Sequence, residues 1–160
     1  MPTEIERKFL VNQSLWKPDT AGTVFVQGYL GTTVPGTTVR LRLQGNEGRL
    51  TIKGPSTGIS RAEFEYAIPA TDAREILSTL CDRPFVEKTR YVAEHDGDTW
   101  EVDVFAGDNE GLVVAEIELD SVDQVFSRPV WLAQEVSTDR RYSNSNLVKN
   151  PYKNWKPGTI

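Results

Sequence analysis

Residues 4–8 read EIERK, the core of the opening stretch EIERKFLV at positions 4–11. In a strand, successive side chains alternate faces, so Glu4, Glu6 and Lys8 project together while Ile5 points the opposite way. Two carboxylates and an ammonium thus crowd one face of the first predicted strand. The same period of two recurs along the chain. TTVRLRLQ sets Arg40 and Arg42 against Val39, Leu41 and Leu43, and RLTIKG sets Lys53 against Leu50 and Ile52. SRAEFEYAI, VEKTRYV, TWEVDVF and VAEIELD repeat the pattern, and TVFVQGYLG adds an eighth strand. Turn residues separate them at PGT (35–37), GNEG (45–48), PSTG (55–58), DGD (96–98) and GDNEG (107–111), which implies mainly antiparallel neighbours.

Taken together, one face of these strands carries seven cations, Lys8, Arg40, Arg42, Lys53, Arg61, Lys88 and Arg90. The same face carries eight carboxylates, Glu4, Glu6, Glu63, Glu65, Glu101, Asp103, Glu116 and Glu118. A solvated sheet face is the ordinary explanation for any one strand. Here, however, the charges are sorted by sign within each strand, although like-charged neighbours repel. A binding site has a reason for that sorting: carboxylate pairs collect hard divalent cations, and Arg or Lys pairs collect phosphate oxygens. Eight strands can close into a barrel whose inside alternates with its outside. The expected fold is therefore α+β but mainly β: a closed eight-stranded antiparallel barrel with a charged interior, an apolar exterior and a few helices outside. Helices are predicted over 71–80 (TDAREILSTL) and at SVDQVF (121–126), where Ser121 and Gln124 fit a capping box, with a short one near 143–148. Three helices cover little of such a barrel, so a homodimer is expected.

Composition bounds the chemistry. One domain over residues 1–160 is expected from 160 residues with 26% charged and 38% hydrophobic composition. No apolar run approaches the length of a membrane helix and MPTEIERK does not resemble a signal peptide, so a cytoplasmic protein without membrane partners is expected. Short strands and outward charges such as Arg7 and Glu87 speak against an outer-membrane barrel. A net charge of −5 argues against nucleic-acid binding through a basic surface. Cys81 and His95 are the single cysteine and histidine, which excludes an internal disulfide and thiolate or imidazole zinc sites. His95 precedes Asp96-Gly97, a hairpin-turn signal, and is read as an exposed turn residue. Carboxylates, Lys, Arg and Tyr are left to do the chemistry. The aromatic residues alternate with charges as core residues do.

In register, EIERKFL, VRLRL, LTIKG, RAEFEY, EKTRYV, WEVDVF, VAEIEL and EVSTDRRYSN resemble the CYTH superfamily, the triphosphate tunnel metalloenzymes. The resemblance runs from Glu4 to about Pro151, and the short length, QGYLG and VFSRPVWLAQEVSTDRRYSN are similar to the compact bacterial members that act on inorganic triphosphate. It implies hydrolysis of triphosphate to diphosphate and phosphate with Mg²⁺ or Mn²⁺. On that resemblance Glu4, Glu6, Glu116 and Glu118 hold metal. Arg40, Arg42, Lys53, Lys88, Arg90 and, near the C-terminus, Arg140 or Arg141 contact phosphate. Lys8 pairs with Tyr29 as a phosphate- or nucleophile-positioning residue first and a base second. Glu63, Glu65, Glu101 and Asp103 hold a second metal, orient water or balance the cations. Competing readings are a nucleoside or thiamine triphosphatase, an adenylate cyclase on the same fold, and a non-catalytic triphosphate or polyphosphate sensor.

Overall fold

The structure, a computed structural model, describes residues 2–155. The ends of the expected 1–160 domain lie outside the described residues. All eight predicted strands form: β1 (Thr3–Val11), β2 (Thr23–Leu30), β3 (Thr38–Gln44), β4 (Glu47–Lys53), β5 (Ser60–Ile68), β6 (Val86–His95), β7 (Asp98–Phe105) and β8 (Val113–Glu118). They are hydrogen-bonded in the order β5-β4-β3-β2-β6-β7-β8-β1, and Thr3–Ile5 of β1 pair back onto β5. Every pairing is antiparallel, so the sheet closes into an eight-stranded barrel. A ninth strand that the alternation did not predict, β9 (Leu132–Glu135), lies on the far half of β1, pairing Phe9 with Glu135 and Val11 with Leu132.

The registers carry the alternation around the wall. Lys8 lies opposite Glu116, Glu101 opposite Glu116, Arg90 opposite Asp103, Tyr29 opposite Arg40 and Lys53 opposite Glu63. Because opposite residues share a face, the charged sets of separate strands all turn inward. At the Asp96-Gly97 turn both residues adopt positive φ (47° and 83°), the twist a two-residue hairpin needs. His95 there is half-exposed, with Nε2 3.1 Å from Ser127 Oγ.

Chain segments cover much of the apolar outside. Over β1, β7 and β8, the buried Phe9, Trp100, Val102, Ala115 and Ile117 pack under Trp16, Phe126 and Trp131. Trp100 meets the rings of Phe9, Phe126 and Trp131 edge-on, at centroid distances of 5.6–5.9 Å. Complete burial of an aliphatic or phenyl side chain here contributes about 2 kcal/mol. Over β3 and β4 lies α1 (Ala70–Thr79), which buries Ala73 and Leu77. It approaches closely because Gly28 and Gly48 lack side chains: a Cβ at Gly48 would stand 2.9 Å from that of Ala73.

Two helix expectations need correction. α1 begins one residue early, behind Pro69, and no side chain caps it, so Thr71 and Asp72 lie within its first turn. SVDQVF makes a single turn and no helix. Gln124 Oε1 accepts from Asp120 N at 2.6 Å and its own N–H reaches Ser121 O, but Phe126 is drawn onto the Phe9–Trp100 cluster and Pro129 follows. The third helix, α2 (Asn144–Lys149), forms with Ser143 Oγ capping Asn146 N–H.

α2 decides the shape of the interior. Leu147 and Val148 enter the end where β2 and β8 present Tyr29 and Val114, while β6 and β7 contribute Val86 and Phe105. Tyr142 is buried there as well. That end of the barrel is an apolar plug, and the charged residues occupy the half that faces the opposite mouth.

Candidate active site

A cavity of about 270 Å³ fills the charged half. Its cationic side is built by Arg40, Arg42, Lys53 and Arg90, and its acidic side by Glu4, Glu6, Glu63, Glu65, Glu101, Glu116 and Glu118. Period-two placement on β3 explains why Arg40 and Arg42 lie together; their exposure is 6% and 7%. Among the described residues neither is paired with a carboxylate. Arg40 donates to Thr51 Oγ1 (3.2 Å) and Arg42 to Gln27 Oε1 (3.3 Å), while Arg40 Nε has no partner. Burial, Arg40 and Arg90 together push the Arg42 guanidinium down to about 10. An unneutralised buried charge is costly, so an anion in the cavity would relieve this pair.

The acidic side differs, because several of its members already meet cations. Lys53 Nζ stands 2.6 Å from Glu4 Oε2 and 3.3 Å from Glu63. Glu4 and Glu6 are driven in opposite directions. Burial, then Glu116 and Glu4, push Glu6 well above the ordinary carboxylate range. Burial pushes Glu4 upward too, but the hydrogen bond with Glu6 and the charge of Lys53 outweigh it and hold Glu4 at about 2. Burial also opposes the charge on Glu116, yet Lys8, Arg90 and Lys88 hold it well below its usual value.

Two predicted contacts are placed differently from expectation. Lys88 lines neither cavity: it is 1% exposed, bonded to Asp103 Oδ2 at 2.7 Å, with the rings of Phe25 and Phe105 within 6 Å. Its burial, against the attraction of Asp103, lowers it to about 7. Asp103 is fully buried and also receives Arg90 at 2.8 and 2.9 Å, so it braces cations instead of facing the cavity; Glu101 reaches the cavity. Lys8 and Tyr29 bond to different partners among the described residues. Lys8 Nζ donates to Tyr142 O (3.1 Å) and lies 3.7 Å from Glu116, whereas Tyr29 Oη accepts from Gln27.

Arg140 lies in a second cavity, of about 330 Å³, between the β4–β5 turn and residues 136–143. Lys8 and Arg61 line it as well, and Glu4, Glu6 and Lys53 form its boundary with the first. Arg141 is turned away and paired with Asp139 at 3.0 Å. Alternation on β2 and β4 also marks Phe25, Gln27 and Thr51 as inward residues, which charge alone had hidden.

Residues 2–152 match the CYTH domain. The chain belongs to the CYTH family. It is 52% identical over 156 residues to an inorganic triphosphatase of Acetivibrio thermocellus, covering 98% of this chain and 99% of the relative. It is 41% identical over 149 residues to an inorganic triphosphatase of Nitrosomonas europaea, covering 91% and 97%. A crystal structure of an inorganic triphosphatase superposes with a TM-score of 0.64 at 38% identity, covering 96% of this chain and 99% of that one.

The CYTH tunnel's donor set suits a hard divalent cation. Glu4, Glu6, Glu116 and Glu118 offer oxygen alone to the cavity, and Glu118 is paired with no cation among the described residues. Among the described residues no three carboxylates already converge as a metal cluster. Mg²⁺ and Mn²⁺ need no dedicated all-protein cage, since water and phosphate oxygens complete their octahedron.

Proposed function

We infer that this CYTH protein hydrolyses inorganic triphosphate, with water, to diphosphate and orthophosphate in the 270 Å³ cavity. The observation that carries this reading is the Arg40–Arg42 pair, buried and without a carboxylate partner. A polyanion supplies the missing counter-charge, and guanidinium forks grip phosphate oxygens bidentately. Arg40, Arg42 and Arg90 bind and orient the chain of phosphates, and Lys53 holds Glu4. Lys88 and Asp103 fix Arg90 from beneath. Lys8 is anchored between Glu116 and Tyr142 O, where it orients the carboxylate of Glu116.

Glu4, Glu6, Glu116 and Glu118 would hold Mg²⁺ or Mn²⁺, which supplies charge neutralisation on the phosphoryl oxygens. Glu63, Glu65 and Glu101 stand at the same cavity, where a second cation or ordered water would meet them. A base or thiamine ring finds poor support. Phe25 is the one aromatic side chain lining the cavity among the described residues, and the guanidinium carbons of Arg42 and Arg90 each lie 4.8 Å from its ring centroid. A homodimer would cover outer-wall residues such as Ile52 and Tyr66, which stand exposed; sedimentation decides that assembly.

Orthophosphate release is the test, from inorganic triphosphate, ATP and thiamine triphosphate, with Mg²⁺, Mn²⁺ or chelator. Faster release from inorganic triphosphate, abolished by chelator, is expected. Cyclic AMP with diphosphate from ATP would make the protein a cyclase. Binding of triphosphate without turnover would make it a sensor.

A further inference from the structure

Asn144 opens α2 and lines the charged cavity, yet it belongs to no strand and takes part in none of the contacts assigned above. Its Oδ1 is buried and has no hydrogen-bond partner among the described residues. A buried amide oxygen left unpaired costs free energy comparable to a lost hydrogen bond, so it calls for a donor that the loaded site brings. Triphosphate is a poor candidate at neutral pH, because its oxygens there are overwhelmingly acceptors, as are those of ionised carboxylates. Water is the donor that hydrolysis requires.

The location agrees. α2 closes the plugged end, anchored by the buried Leu147 and Val148, so Asn144 stands at the deep end of the cavity. A linear triphosphate entering by the open mouth places its leading phosphoryl group deepest, with the departing diphosphate toward the mouth. In-line displacement then brings water from the deep side, opposite the leaving oxygen. The second cavity meets the first at Glu4, Glu6 and Lys53, giving solvent a route to that side. The segment leading to Asn144 is also tied to β1. Val136 N–H donates to Lys8 O at 2.8 Å, and Lys8 N–H donates to Ser137 Oγ at 3.0 Å.

We propose that Asn144 is a positioning residue: its Oδ1 accepts one O–H of the water that attacks the terminal phosphorus. The water's oxygen forms the new P–O bond, the P–O bond to diphosphate breaks, and the second proton leaves to solvent or product. This assignment rests on the hydrolytic reading of the cavity.

The experiment compares Asn144→Ala and Asn144→Asp with the parent protein. It uses steady-state kinetics on inorganic triphosphate, calorimetric binding of triphosphate in chelator, and thermal melting. Asn144→Ala lowers kcat on the order of 10²-fold while KM and triphosphate affinity change little, the split expected of a misplaced nucleophile. Asn144→Asp keeps an acceptor oxygen and loses the amide donors, so its kcat exceeds that of Asn144→Ala. An alanine variant with parental kcat overturns the proposal, as does a loss carried by KM and binding. An aspartate variant slower than alanine also overturns it, since the amide would then be donating to phosphate. If Asn144→Ala does not fold, Asn144→Ser takes its place and faces the same comparison with Asp. A parent protein that binds triphosphate without turning it over overturns both the proposal and the hydrolytic reading, and does so before any variant is made.

Discussion

The two ends of the barrel interior are lined by the same strands and obey opposite rules. β6 presents Val86 at the plugged end, then Lys88 and Arg90 toward the mouth; β8 presents Val114, then Glu116 and Glu118. β7 runs from Phe105 to Asp103 and Glu101 in the same sense. Within a few residues of one strand, a side chain passes from an apolar contact with α2 to an ionic cavity. At the plugged end the buried side chains are mostly apolar and pack against one another, so burial there stabilises the fold. At the open end buried Arg40 and Arg42 lack counter-charges among the described residues, so burial there is held at a cost, which the proposed binding of triphosphate would offset. Lys88 and Asp103 form the boundary, a charged pair sealed at 2.7 Å between the two.

Breaking that boundary gives the largest expected effect. Lys88→Met leaves Asp103 with Arg90 alone and lowers the free energy of unfolding by about 4 kcal/mol, as loss of one member of a buried pair does. Denaturant unfolding measures it, and a loss below about 1 kcal/mol would show that Arg90 alone satisfies Asp103. At the plugged end, Leu147→Ala removes a 1%-exposed side chain and costs about 3 kcal/mol by the same assay, from lost transfer energy plus the cavity left behind. An unchanged midpoint would mean that α2 does not hold the plug.

The open end is expected to behave in reverse. Arg42→Ala lowers kcat/KM for triphosphate on the order of 10²-fold, since a preorganised cation is lost. It leaves the melting temperature unchanged or higher, because a buried repulsion with Arg40 and Arg90 goes with it. A fall in both activity and stability would place Arg42 with the scaffold.

The smallest effect belongs outside the barrel. Arg7 grips Glu135 at 2.6 and 2.9 Å across β1 and β9, but both side chains are partly exposed, so Glu135→Gln costs about 0.5 kcal/mol. The hydrogen bond from Arg7 lowers the Glu135 carboxyl below its usual 4.5 despite partial burial. A depressed carboxylate contributes fully above 4.5 and loses that contribution as pH falls through the folded value. The difference between parent and Glu135→Gln should therefore vanish in acid, and a difference that persists there would assign it to packing.

Much of this contrast is legible in the primary structure. Period two identified eight strands and turned Glu4, Arg40, Arg90, Glu116 and their neighbours to one face, because the alternation of a pleated strand is local. Closure followed from the number of strands and the sorting of their charges. SVDQVF shows the limit: Gln124 bonds locally to Asp120 N–H and Ser121 O without completing the capping box, and packing of Phe126 overrides the helix.

What the amino-acid sequence determined alone is thus which side chains face inward and what charge they carry. How deep each one lies was decided by tertiary structure. Lys88 and Arg90 are two residues apart and look alike in the sequence, yet one lies beneath the cavity and the other lines it. The different partners of Lys8 and Tyr29, and the arrival of Asn144 beside the strand carboxylates, depend on a segment more than a hundred residues from β1 folding back across the barrel end. Alternation reports the face of a strand and has no term for distance along the barrel axis. That distance is set by strand tilt and by which remote segment packs into the open end.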